Sequence, residues 1–194
     1  MNNQISIIRD KLRLYDEKFI EKDKIDKLLS KFAPSYKIKD VTSLGLISPL
    51  KRGQIYINNL SNKIEDPFVI ADLYFQGKDY AFGGLGVYNM YGFSTQVVEW
   101  YTVYNKLISG DRIIGKTKFI FKKQKPNFFY GIITKKSGDN SYLVFSPERA
   151  FIQLLKEGKN FNELPKNIDK ENLLQMAKKY APKTIISKIE KLCI

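Results

Sequence analysis

Near Gly45 the spacing of apolar residues changes from helical to extended, and the chain must fold differently on its two sides. Ile5, Ile8, Leu12 and Tyr15 recur at three- and four-residue steps with charges between them, one face of an amphipathic helix. Ile25, Leu28, Leu29 and Phe32 repeat the pattern, with Asp23 placed to cap the start. Pro34 interrupts, and Ser35 is placed to cap a third, short helix carrying Ile38, Val41 and Leu44, which Gly45 stops. Leu46 to Ile57 then reads as two short strands around the basic turn Lys51-Arg52-Gly53. Three helices followed by a hairpin is the plan of a winged helix-turn-helix. A generic small helical subdomain is the competing reading, and the Lys-Arg-Gly turn weighs against it.

Asn58 to Lys63 reads as a polar linker. It separates a winged helix-turn-helix domain at 1–60 from a second domain at 64–194. Asp66-Pro67 opens a helix, because Asp caps and Pro is tolerated at the first helical position. Gly83 to Gly92 reads as a short helix packed closely on a neighbour and closed by Gly92. Strands dominate from Val97 to Phe145. Val98, Trp100, Thr102 and Tyr104 alternate with other side chains. In the next strand Lys116, Lys118, Ile120 and Lys122 share one face, and Thr117, Phe119 and Phe121 the other. Phe128–Thr134 and Tyr142–Phe145 supply two further strands, with a turn at Gly138-Asp139-Asn140. Pro147-Glu148 opens a helix, and the last third is helical. Leu173, Leu174, Ala177 and Tyr180 form one stripe, and Ile185, Ile186, Ile189 and Leu192 another. The expected fold class is α+β: the N-terminal winged helix-turn-helix, then a mixed α/β domain with a mostly antiparallel sheet and C-terminal helices.

Net charge is +13 and unevenly spread: residues 1–60 carry +5, residues 61–101 carry −3 and residues 102–147 carry +7. A patchy basic excess suits a polyanion-binding face. There is no histidine, which removes Ser-His-Asp, Cys-His and His-metal chemistry together. The single cysteine, Cys193, cannot form an internal disulfide or a thiolate metal site, so a reducing, cytoplasmic compartment is expected. No signal peptide or membrane-spanning run stands out.

Gly110-Asp111-Arg112-Ile113-Ile114-Gly115-Lys116-Thr117 satisfies the phosphate-loop pattern G-x-x-x-x-G-K-[ST]. That chemistry needs a helix directly after the loop. Here Lys118 to Lys123 reads as strand, so nucleotide binding at this loop is not expected. Gly83-Gly84-Leu85-Gly86 hints at a dinucleotide fingerprint, but no preceding parallel strand is evident and packing explains it better. Asp16-Glu17-Lys18 reads as a solvated turn rather than a nuclease cluster. No catalytic set converges, and neither enzyme activity nor a cofactor is expected.

The basic hairpin is the strongest functional signal. Lys51 and Arg52 at its tip can neutralise phosphates. Tyr36, Lys37, Lys39, Thr42 and Ser43 are expected on the exposed side of the third helix, where they can read base edges. Lys116, Lys118, Lys122, Lys123 and Lys125 form the expected basic surface of the second domain. They present charge without the protruding shape that a groove requires.

The order of segments resembles AbiEi-type antitoxins of type IV abortive-infection toxin–antitoxin systems. Leu50-Lys51-Arg52-Gly53-Gln54-Ile55-Tyr56 is similar to the (R/K)-R-G-V-Y close of the family's wing. Tyr80 to Gln96 is similar to its Y-hydrophobic-S-x-x-S-A-L-x-x-H-G-L-x-x-Q segment, through Gly86-Val87-Tyr88, Tyr91-Gly92-Phe93 and Gln96. Ser146 to Leu155 is similar to its S-x-E-R-(T/A) helix start. Tyr91 stands in place of His, Gly86-Val87 in place of Ser-Ala, and Gln153 in place of Asp. The resemblance implies an antitoxin that represses its own operon at inverted repeats in double-stranded DNA. It also implies that the protein counters a nucleotidyltransferase toxin without a stable complex. The alternative is a winged-helix transcription factor whose second domain senses a ligand or dimerises.

Overall fold

In a computed structural model the described residues are 3–51, 53–63 and 65–193. The fold is mixed α+β, with eight helices among the described residues and two mostly antiparallel sheets. The chain divides into two units, Met1–Ile70 with Ile113–Thr117, and Ala71–Arg112 with Lys118–Ile194.

The first unit runs α1 (Asn3–Leu14), β1 (Phe19–Glu21), α2 (Lys22–Phe32), α3 (Ile38–Ser43), β2 (Ile47–Lys51) and β3 (Ile55–Asn58). The expected stripes bury Ile8, Leu12, Ile25, Leu29 and Val41 in one cluster with Ile47 and Tyr56. β1 is a strand that the periodicity does not announce. It is three residues long between charged neighbours, and only Ile20 is buried, too little to produce an alternation. It pairs antiparallel with β3, Ile20 opposite Tyr56, so the sheet order is β1-β3-β2. β2 is thus an edge strand, where Pro49, which lacks an N–H, is tolerated.

Two helix starts differ from expectation. α2 begins at Lys22, so Asp23 lies in its first turn, where its charge faces the positive end of the helix dipole. At α3 the cap is not Ser35: the Asp40 carboxylate reaches back to accept the Lys37 N–H at 2.8 Å. Asn58, fully buried, ties the unit together. Its amide donates to the Leu12 carbonyl at the end of α1 (2.8 Å), and its Oδ1 accepts the Leu60 N–H (3.1 Å).

Further along come α4 (Pro67–Phe75), β4 (Tyr80–Gly83), α5 (Leu85–Met90), β5 (Tyr101–Asn105), β6 (Gly110–Ile114) and β7 (Thr117–Lys123). A 3-10 turn (Pro126–Phe128), β8 (Ile132–Ser137), β9 (Asn140–Phe145), α6 (Pro147–Lys156), α7 (Lys170–Tyr180) and α8 (Lys183–Leu192) complete the chain. Asp66 caps α4 as its Asp-Pro start requires, accepting the Phe68 N–H at 2.8 Å. Ser146 caps α6 by accepting the Arg149 N–H at 3.2 Å. The expected strand from Phe128 starts later, at Ile132, because Pro126 bends the chain into the 3-10 turn. Val98 and Trp100 precede β5 rather than belonging to it.

The large sheet has the order β6-β7-β5-β4-β9-β8. β4–β5 and β8–β9 are antiparallel, while β5–β7 and β4–β9 are parallel. In β7, Phe119 and Phe121 are buried while Lys118 and Lys122 are exposed, as the alternation requires. A separate cluster joins Phe151, Ile152 and Leu155 of α6 to Leu173 and Ala177 of α7 and Ile185 and Ile189 of α8.

At Gly83 a Cβ would stand 2.5 Å from the Phe145 ring and 2.7 Å from the Tyr104 ring. Gly83→Ala therefore overpacks a crossing that only glycine allows. The expected loss is about 1–3 kcal/mol, read as a lower urea midpoint; an unchanged midpoint would mean that the rings move aside.

Candidate functional site

Lys39 and Ser43 are exposed on α3, as expected, and Lys37, also exposed, is the N-cap residue just before it. The other two residues of that set are not exposed. Tyr36 precedes the helix and packs half-buried against the core, with its N–H on the Ala33 carbonyl at 2.9 Å. Thr42 is half-buried, and its hydroxyl donates to the Ile38 carbonyl at 2.9 Å, the local bond that threonine makes within a helix. Lys51 ends β2 and is half-buried; the turn returns through the Gln54 N–H to the Lys51 carbonyl at 3.0 Å. Gly53, at φ 73°, supplies the left-handed backbone of that turn. Arg52 lies outside the described residues.

The carboxylates near residue 16 are spent on lysines: Asp16 pairs with Lys63 and Glu17 with Lys24, each at 3.0 Å. Among the described residues no group of three or more His, Cys, Asp or Glu could hold a metal.

The phosphate-loop match is a hairpin. Gly110–Ile114 is β6, Gly115 and Lys116 make the turn, and Thr117 opens β7, so a strand and not a helix follows the loop. The Lys116 N–H, which a phosphate would need, already donates to Glu65 Oε2 at 2.8 Å. The glycine run at Gly83 needs a correction. A strand, β4, does lead into it, and β4 pairs in parallel with β9 through Phe82 and Val144. The α5 that follows is only six residues long. The space at Gly83 and Gly84 is filled by Phe145, Tyr104 and Thr102, so the glycines serve packing.

The five expected lysines of the basic surface are all exposed but do not form one patch. Lys116 sits in the hairpin turn. Lys118 is 3.8 Å from Asp111 and 5.5 Å from the Trp100 ring centroid. Lys122 lies 5.6 Å from the centroid of Tyr104, in a cavity of about 510 Å³ that Tyr88, Trp100, Thr102 and Glu157 also line. Lys123 and Lys125 line a different cleft, of about 680 Å³, with Lys106, Lys156, Arg149 and Tyr130.

That second cleft holds a group that sequence reasoning missed. Arg149, in the first turn of α6, is 0% exposed. Its guanidinium carbon stands 4.2 Å from the ring centroid of Tyr130, 4.6 Å from that of Phe145 and 4.7 Å from that of Phe128. Nη1 donates to Gln153 Oε1 at 3.1 Å. Gln153 donates in turn to Glu157, which also accepts the Tyr88 hydroxyl, both at 3.0 Å. Nε and Nη2 of Arg149 are buried and have no hydrogen-bond partner. Such orphaned donors cost about 1–3 kcal/mol each, more when charged. Burial pushes the Arg149 pKa down, with the Tyr130, Tyr104, Tyr88 and Glu157 side chains opposing. Lys156 is also pushed down, first by burial and then by Arg149. Its ammonium donates to the Tyr130 hydroxyl at 3.4 Å and the Tyr180 carbonyl at 3.3 Å. The Tyr130 and Tyr180 rings stack with centroids 3.9 Å apart. No spacing in the sequence joins these residues; the hint was the aromatic run Phe128-Phe129-Tyr130 upstream of an arginine that directly precedes the apolar run Ala150-Phe151-Ile152.

No family model matches the chain, and no curated protein matches it. In fold it is similar to the RV2827C protein from Mycobacterium tuberculosis, known from a crystal structure. The TM-score is 0.66 at 11% identity, over 100% of this chain and 77% of that one. At that identity the likeness speaks for the fold alone. Among the described residues no helix is long and apolar enough to cross a membrane.

Two outcomes follow from this geometry. Lys116→Ala, at an exposed turn, is expected to change stability by less than about 0.5 kcal/mol and to leave thermal melting with ATP unchanged relative to the unsubstituted chain. A loss of ATP-dependent stabilisation in this variant would restore the phosphate loop. The second outcome concerns pH. Burial raises Tyr104 to about 12 and pushes Tyr80, Tyr88 and Tyr91 up as well. A folded pKa above the unfolded value of about 10 means that the native state holds more protons. The tyrosines' contribution is complete below about pH 10 and declines as pH rises toward about 12. The urea midpoint is expected to fall across that window, less steeply in Tyr104→Phe; identical slopes would remove Tyr104 from the cause.

Proposed function

We propose that the chain is a DNA-binding regulator whose first unit is a winged helix-turn-helix. One observation carries this reading: the order α1-β1-α2-α3-β2-β3, closed by a β1-β3-β2 sheet, with Lys39 and Ser43 exposed on the helix just before the hairpin and Lys37 exposed at its N-cap. A helix so placed enters the major groove while the hairpin meets the backbone. The basic excess of residues 1–60 supports the same partner. The resemblance to AbiEi-type antitoxins extends the proposal to a cytoplasmic antitoxin that represses its own operon and counters a nucleotidyltransferase toxin. The cleft around Arg149 favours a second reading, a transcription factor whose second unit senses a ligand.

Gel shifts of the full chain on its own promoter, across a salt series, test the proposal. Lys51→Ala with Arg52→Ala is expected to weaken binding to every duplex and to lower the salt slope by about 1–2, since each phosphate contact contributes roughly 0.9. Lys37→Ala with Lys39→Ala is expected to weaken promoter DNA more than random duplex. If the unsubstituted chain does not retard its promoter fragment, the reading fails. Rescue of growth in cells poisoned by a nucleotidyltransferase toxin encoded beside this chain separates the antitoxin from the plain transcription factor; the absence of such a neighbouring gene, or of rescue, favours the latter.

A further inference from the structure

The two unpartnered nitrogens of Arg149 are not an arbitrary pair. Nε and Nη2 form one edge of the guanidinium, whose N–H bonds run parallel and match two oxygens of a single anion. The rings of Phe128, Tyr130 and Phe145 interact with the guanidinium as a cation and leave its edge donors unanswered. Gln153, its hydrogen-bonding partner, is neutral. The cleft that Arg149 lines adds Lys123, Lys125 and Lys156 and has no Asp or Glu among its lining residues. Lys106 is also there, but is already paired with Asp79 at 2.6 Å. Among the described residues Lys123 and Lys125 have no ion-pair partner and both are exposed.

From this geometry we infer that the cleft is a binding site for the phosphoryl groups of a small ligand, a nucleotide or a free polyphosphate. Several cations without a carboxylate suit an anion carrying more than one charge. About 680 Å³ is within the range of small-ligand pockets. Two phosphoryl oxygens take the Nε–Nη2 edge, and Lys123 and Lys125 meet the remaining charge. Lys156 turns to the ligand from the Tyr130 hydroxyl and the Tyr180 carbonyl, partners it holds only at 3.4 and 3.3 Å. A duplex phosphodiester does not fit this description, because Arg149 lies below the surface at the inner wall of the cleft, out of reach of a rigid double helix. The inference concerns the second unit and stands whether or not the first binds DNA.

The test is titration of the full chain, in buffer free of phosphate and sulfate, with tripolyphosphate, ATP and adenosine. Thermal melting and the Arg149 Nε–H resonance are the readouts. Tripolyphosphate and ATP are expected to raise the melting temperature and shift that resonance, and adenosine to do neither. Lys123→Ala with Lys125→Ala is expected to weaken binding about tenfold, and Arg149→Lys, which keeps charge but loses the fork, by a similar factor. Lys166→Ala with Lys191→Ala, an equal loss of charge elsewhere, is expected to bind as the unsubstituted chain does. If Arg149→Lys does not fold, the lysine pair and the resonance decide. The inference is overturned if tripolyphosphate does not bind, if ATP binds and tripolyphosphate does not, or if the two lysine pairs weaken binding equally.

Discussion

The second unit is organised around one buried cation. Arg149 touches the 3-10 turn through Phe128, the segment before β8 through Tyr130 and the end of β9 through Phe145, and it reaches along α6 to Gln153. Tyr130 carries the contact on to Tyr180 at the end of α7. A charged group without a full set of partners is costly inside a protein. The stacked rings and the Gln153–Glu157–Tyr88 chain offset part of that cost and fix the ring orientations around it. The sheet edge and the C-terminal helices thus share a charged centre rather than a purely apolar one.

In the first unit an amide and a carboxylate fix helix ends. Asn58 donates to the Leu12 carbonyl, which also accepts the Tyr15 N–H at 3.3 Å, and so fixes the end of α1 against β3. The only carboxylate of α3, Asp40, is used on the Lys37 N–H. The remaining exposed charges of that helix and its N-cap are Lys39 and Lys37, a surface suited to meeting a polyanion.

Long, strongly patterned segments were legible in the sequence. The stripes of α1 and α2, the Asp-Pro and Ser-Pro starts of α4 and α6, and the alternation of β7 all follow from local rules. Short strands were not. β1 rests on one buried isoleucine, β4 runs into glycines chosen for ring packing, and β6 is concealed within a loop-like pattern. Lys37, Lys39 and Ser43 were legible as exposed residues, while Tyr36 and Thr42 turned inward because their positions are set by packing on the core. The arginine cleft was illegible because its members span residues 106 to 180 and meet only through tertiary structure.

The order of the large sheet also has a consequence in time. β4 lies beside β9, about sixty residues later in the chain, and β5 lies parallel to β7 with β6 looped outside them. Such pairings incur loop-closure entropy before any contact offsets it, which slows folding. The first sheet needs only neighbours from Phe19 to Asn58. During synthesis, residues 1–58 emerge with all their sheet partners present, while Phe82, which meets Val103 first, lacks its parallel partner until Val144 has been made. The sheet of the segment read here as DNA-binding is therefore able to form first, and the arginine centre, whose members reach Tyr180, closes last.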